Sequence, residues 1–194
     1  MKNLFTSVLV AVLLIGATPA TQAQQSNKLT FKQTTANKVL DRIVGDWQVS
    51  HYVKKADGEG LTETKGSAKF SKAFHGNYVQ ERYDLSQADG SILQGESYIR
   101  YSDEQDRYEY VQLDKKGKSI VMMVGKWSKK YDTLAFRPLN GEGQWSNKID
   151  PNLQCLYIFK HDGTFIRLTR TFDKHGNCIV LTQDHYSYPG VATL

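Results

Sequence analysis

The sequence predicts an all-β protein: an up-and-down antiparallel β-barrel of about ten strands, led by one short N-terminal helix. Three observations carry this. Segment after segment from Trp47 onward alternates side-chain character with a period of two. Short turn signals such as Asp89-Gly90, Lys116-Gly117, His161-Asp162-Gly163 and Lys174-His175-Gly176 separate the segments. Only residues 140–152 form a long connection, whereas a two-sheet sandwich usually needs several Greek-key crossovers.

The N-terminus reads as an export signal. Lys2 supplies a positive start, Leu4 to Ile15 is apolar but too short to span a bilayer comfortably, and Thr21-Gln22-Ala23 suits cleavage. Residues 1–23 are therefore expected to be a signal peptide, and the chain to be periplasmic or secreted. No Cys follows the apolar stretch to take a lipid anchor, and no later run is long enough for a stable membrane span. Residues 24–34 are polar and read as a flexible segment, and residues 35–194 as one barrel domain.

Within that domain Thr35 can cap a helix running to Val44. Val39, Leu40 and Ile43 make its apolar stripe, and Gly45 ends it. Trp47, Val49, His51 and Val53 then share one face of the first strand. Later strands are expected at about 62–71, 78–85, 92–101, 107–113, 118–126, 132–138, 153–160, 164–173 and 177–188. Eleven Tyr residues suit surfaces that are half apolar and half wet, so a lumen of mixed character is expected.

The formal charge of +5 falls by one unit when Lys2 leaves with the signal. The Lys pairs at 54–55, 115–116 and 129–130 sit beside turns and form no continuous block, which argues against nucleic acid as a partner. Simple hairpin registers set Cys155 opposite Thr169 and Cys178 opposite Phe172. The two cysteines then face opposite sides of the sheet with a strand between them, beyond disulfide reach, and are expected to be free and buried.

An ordered set of short motifs follows the helix: Ile43-Val44-Gly45-Asp46-Trp47, Gly66-Ser67-Ala68-Lys69-Phe70, Phe74 to Glu81, Gly95 to Ser102, and Arg107-Tyr108. This order resembles the lipocalin-like, secreted bacterial families of unknown function whose members open with a Gly-x-Trp strand. The resemblance implies a calycin-type barrel with a hydrophobic ligand cavity and brings no catalytic set with it. Phe74-His75-Gly76 stands where such relatives often show a Gly pair.

The candidate ligand contacts are Trp47, Tyr98, Arg100, Tyr101 and Tyr108. Trp47 is first of all a plug for the end of the barrel, and Arg100 flanked by tyrosines could orient a small hydrophobic or amphipathic molecule. Arg82, Arg167 and Arg170 are further strand arginines, but Arg82 falls opposite Glu96 as an ordinary ion pair. Glu81, Glu96 and Glu109 are strand carboxylates that could do acid–base work if two pointed inward. No nucleophile elbow or phosphate loop accompanies them, so the balance favours a binding protein over an enzyme of isomerase or cyclase type; a ligand-free structural module, its barrel filled by side chains, is the other alternative.

Among five His, His51 and His185 lie on strands that should close on each other. No spacing suggests a metal site, and no resident cofactor is expected. The alternative is haem. The chain is similar in outline to nitrobindin-like barrels, where a His near the C-terminal end binds haem iron. That resemblance points to His185, with Met122 or Met123 lining the pocket, although Gln183-Asp184-His185-Tyr186 departs from that family's pattern.

Overall fold

A computed structural model describes residues 31–55, 60–87, 89–113, 119–139 and 150–190. The expected signal at 1–23 lies outside these residues, as does most of the long connection. Helix α1 (Phe31–Asp41) precedes ten strands: β1 (Gly45–Lys54), β2 (Leu61–Ala73), β3 (Tyr78–Ser86), β4 (Ile92–Ser102) and β5 (Arg107–Leu113), then β6 (Ser119–Ser128), β7 (Thr133–Pro138), β8 (Gln154–Phe159), β9 (Phe165–Phe172) and β10 (Cys178–Ser187). Each strand pairs antiparallel with the next, and β10 closes on β1. The protein is an all-β closed barrel with one short N-terminal helix.

α1 begins four residues before the expected cap at Thr35. Ala36, Val39, Leu40 and Ile43 are all buried, which is the helical spacing of one face packed across an end of the barrel. Trp47 seals that end: its indole N–H donates to Ile43 O at 2.8 Å, its ring meets Phe165 edge-on at 4.9 Å, and it stacks on Tyr188 at 4.9 Å. Phe70, Phe159 and Tyr186 complete this aromatic plug.

Strand curvature is set by close approaches at glycine. A Cβ on Gly66 would lie 2.2 Å from Asp84 O, and one on Gly95 would lie 2.1 Å from the Tyr83 hydroxyl oxygen. Only glycine lets β2 and β4 lie this close to β3 and its side chains. Between β2 and β3 the chain makes a 3-10 turn (Phe74–Gly76), in which Phe74 (φ 50°) and His75 (φ 58°) are left-handed. That explains why a Gly pair suits this turn: L-residues there carry backbone strain.

The registers place Cys155 opposite Thr169, Cys178 opposite Phe172 and Arg82 opposite Glu96, as the hairpin arithmetic predicts. Both thiols are free, but only Cys155 is buried; Cys178 is exposed on the outer face at the start of β10.

Candidate functional site

The barrel interior changes character along its axis. Near α1 it is aromatic. Beyond Tyr186 it holds four ionisable side chains: Glu81 (0% exposed), Asp184 (1%), His51 (4%) and Arg167 (8%). Each occupies an inward position of its strand. Glu81 alternates with Val79 and Tyr83 on β3, Arg167 with Phe165 on β9, and Asp184 with Tyr186 on β10, while His51 follows Val49 on β1.

Taking such groups out of water costs several kcal/mol per ion unless each finds a partner. Here each does. One Arg167 amino group lies 2.7 Å from both carboxylate oxygens of Glu81, and its Nε donates to Asp184 Oδ2 at 2.9 Å. The other Asp184 oxygen is hydrogen-bonded to His51 Nδ1. Ser97 donates to Glu81 at 2.7 Å, and the Tyr186 hydroxyl donates to Glu81 at 3.0 Å. The guanidinium also sits 5.5 Å from the Tyr83 ring centroid and 5.6 Å from that of Tyr186, within cation–π range.

The electrostatics follow from this pairing. Burial pushes the Asp184 carboxyl up, but Arg167 and His51 outweigh it and hold the group below the usual carboxylate range. Burial opposes charge on Arg167 too, yet Glu81, Tyr186 and Asp184 raise its affinity for the proton, so it stays a cation. Desolvation pushes the hydroxyls of Tyr110, Tyr157 and Tyr186 well up and the Cys155 thiol to about 12. These hydroxyls stay protonated, and the thiol is not a nucleophile.

Above this cluster, toward the end away from α1, lies a cavity of about 230 Å³. Arg167, Asp184 and His51 form its polar base. Tyr83, Gln112, Thr169 and Thr182 offer hydrogen-bonding groups, and Leu85, Leu93, Tyr110, Met123, Leu153 and Cys155 supply apolar wall. Gln112 donates to the Tyr83 hydroxyl at 3.1 Å. The Tyr157 hydroxyl, which feels Glu81, Arg167, Tyr110 and Cys155, has no hydrogen-bond partner among the described residues. A His oriented by a carboxylate is suited to proton transfer, but the cavity presents no activated nucleophile beside it.

The residues singled out from sequence lie elsewhere. Trp47 is the plug at the opposite end. Tyr98 and Arg100 point outward, between inward Ser97 and Ile99. Arg100 pairs there with Glu109 at 2.7 Å, and Tyr98 hydrogen-bonds Glu96. Tyr101 and Tyr108 flank α1, and the Tyr108 hydroxyl reaches Ala36 O at 3.5 Å. None of the five lines the lumen cavity.

His185 too lies away from the lumen cavity. It alternates with inward Asp184 and Tyr186, so its ring lies on the outside against Tyr52. The inward imidazole is His51, with Asp184, not His185, as its register partner. A haem inside the barrel gets no axial ligand from His185. The cavity is also below the roughly 300–1,000 Å³ of drug-sized sites, and a porphyrin needs more. Met123 does line the cavity, whereas Met122 does not. Among the described residues no three His, Cys, Asp or Glu side chains are placed to hold a metal ion, and no helix is long and apolar enough to cross a membrane.

Glu81 and Arg167 are visible in the sequence as strand charges, but their partnership is not. The available signal is parity: counted from Phe165, Arg167 falls on the plug's face. Ile166 and Leu168 conceal it, because they suggest that their own face is the inner one.

The crystal structure of Rv2717c from M. tuberculosis is similar to this barrel. The two share 14% identity and a TM-score of 0.52, over 78% of this chain and 95% of that one. The likeness concerns the fold alone. No curated protein matches the sequence. A family profile matches residues 32–165, a span that includes His51 and Glu81 and stops just before Arg167, and on that match the chain belongs to the family described as protein of unknown function DUF1579.

Proposed function

We propose that this chain is an exported binding protein that holds a small, partly apolar, uncharged molecule in the lumen cavity. The carrying observation is the cavity itself: a space of about 230 Å³ whose base is a fully paired ion cluster and whose walls mix apolar and hydrogen-bonding groups. Such sites take their affinity from apolar contact and their specificity from a few fixed polar groups.

The charge arithmetic favours a neutral ligand over a carboxylate. Among the described residues Arg167 is the only cation lining this cavity apart from any charge on His51, and it is committed to Glu81 and Asp184. A ligand carboxylate would have to displace one of them. A hydroxyl or carbonyl can instead meet Tyr83, Gln112, Thr169 or Thr182 without disturbing the ions. Export rests on the N-terminal signal pattern of residues 1–23.

Titration with p-cresol, a neutral molecule with one apolar face and one hydroxyl, tests this reading by NMR. Saturable shifts are expected at the Gln112 side-chain amide and the Thr169 and Thr182 backbone amides. Native mass spectrometry of the protein recovered from its own cell envelope should show a small retained molecule. No saturable shift at these residues, together with a bare protein mass, would overturn it.

A further inference from the structure

The outside of β6–β9 carries a second cavity, of about 560 Å³. The strand registers explain its make-up. One row across the outer face runs Lys126–Ala135–Leu156, and beside it lie the pairs Val124–Arg137 and Gln154–Arg170. Val124, Ala135 and Leu156 thus form an apolar strip, while Arg107, Lys126, Arg137 and Arg170 border it. Among the described residues no carboxylate lines it.

The cations differ in what they already hold. Arg107 pairs with Glu109 at 3.1 Å, and Arg170 donates to Gln154 at 3.0 Å. Lys126 and Arg137 are exposed and take part in no ion pair among the described residues. Over β1–β4 the outer cations lining a larger depression of about 720 Å³ are matched, Lys69 by Asp46 and Arg82 by Glu96. The surplus positive charge of this face therefore gathers beside an apolar strip, a combination that suits neither bulk water nor a neutral ligand.

We propose that this outer groove binds an anionic amphiphile: one aliphatic chain ending in a carboxylate or phosphate. The chain lies along Val124, Ala135 and Leu156, and the head group meets Arg137 with Lys126 or Arg170. A planar guanidinium is suited to either head group. The groove is concave and falls within the volume range of single-ligand sites, so its occupant is one molecule rather than a bilayer face. It is distinct from the lumen cavity because the strand alternation separates them: Cys155 and Thr169 face in, Leu156 and Arg170 face out.

Decanoate is the probe, with 1-octanol as the uncharged control and phosphatidylglycerol vesicles as the membrane control. Calorimetry should show saturable decanoate binding that weakens with salt. The double variant K126Q/R137Q, at two exposed positions and with its fold checked by circular dichroism, should weaken it about tenfold or more. Methyl NMR localises the site: Val124, Ala135 and Leu156 should shift while Met123, in the lumen, does not. A Met123 shift in their place overturns the proposal, as does a decanoate affinity unchanged in the double variant or matched by octanol. Association with vesicles but not with monomeric decanoate overturns it as well.

Discussion

Replacing Arg167 by Met distinguishes an ion network from ordinary polar packing. The substitution keeps the length of the side chain and removes its charge. Arg167 reaches Glu81 at 2.7 Å and Asp184 at 2.9 Å. Charge centres in such pairs lie roughly 4 Å apart, where the attraction is about 4 kcal/mol at an effective dielectric of about 20. In the native protein the cost of desolvating the ions offsets much of this. In the variant that cost remains for both carboxylates and both attractions are gone. The expected loss at pH 7 is about 3–5 kcal/mol, a large share of the roughly 5–15 kcal/mol by which domains are stable.

The pH dependence sharpens the test. The native Asp184 carboxyl is held below its unfolded value. Its contribution is therefore complete above the unfolded pKa, about 3.9, and is lost as pH falls through the folded one. Without Arg167, burial acts on the Asp184 carboxyl with far less to oppose it, and folding takes up a proton there. Relative to the native protein, whose Asp184 contribution is unchanged there, the variant should gain stability between pH 7 and pH 4.5. Urea unfolding followed by tryptophan fluorescence at both pH values measures the gap. A gap under about 1 kcal/mol at pH 7, or one that does not narrow on acidification, refutes the reasoning.

Four further outcomes follow from the geometry. Gly66→Ala puts a Cβ 2.2 Å from Asp84 O, a backbone atom, so β2 and β3 must part; about 1–3 kcal/mol should be lost in thermal or urea unfolding. His75→Gly relieves a left-handed residue (φ 58°) and should raise stability by up to about 1 kcal/mol in the same assay. Trp47→Phe leaves the Ile43 carbonyl without its indole donor inside the plug and should cost about 1–3 kcal/mol in urea unfolding. A thiol reagent at pH 8 should modify exposed Cys178 in the folded protein. It should reach Cys155, whose thiol burial pushes to about 12, only on unfolding.

Local rules served the strands well and the site poorly. Turn chemistry and period-two alternation located every strand to within about two residues, because hairpins are short-range objects. For the same reason the Cys155–Thr169 and Arg82–Glu96 registers came from counting alone. Lys32, Gln33 and Thr34 are polar and read as a loose segment, yet they belong to a helix anchored by Ala36 and Val39, and Lys32 pairs with Asp106 at 3.2 Å. Which face of a strand is inner is a tertiary fact. Tyr98 and Arg100 share a face and look like a ligand clamp, but Ser97 and Ile99 are the inward pair. His185 and His51 differ in the same way, by one residue of parity on two paired strands.

β9 connects the two cavities. On most strands the inner face is the apolar one, but β9 turns Arg167 and Thr169 inward and Ile166 and Leu168 outward. Stability alone does not account for this inversion, since a buried ion cluster is often no better than well-packed apolar residues of similar size. Glu81 and Arg167 sit on strands separated by β2, β1 and β10, so their contact crosses the lumen and fixes the level at which aromatic plug gives way to cavity. An apolar residue at 167 would pack the core but would leave Asp184, and through it His51, without an anchor. The cluster thus supplies a rigid polar base that an apolar core lacks. The side chains it turns outward, Leu168 next to Leu156, extend the apolar strip on the outer face. One reversal of polarity on one strand builds the base of the inner cavity and part of the apolar surface around the outer one.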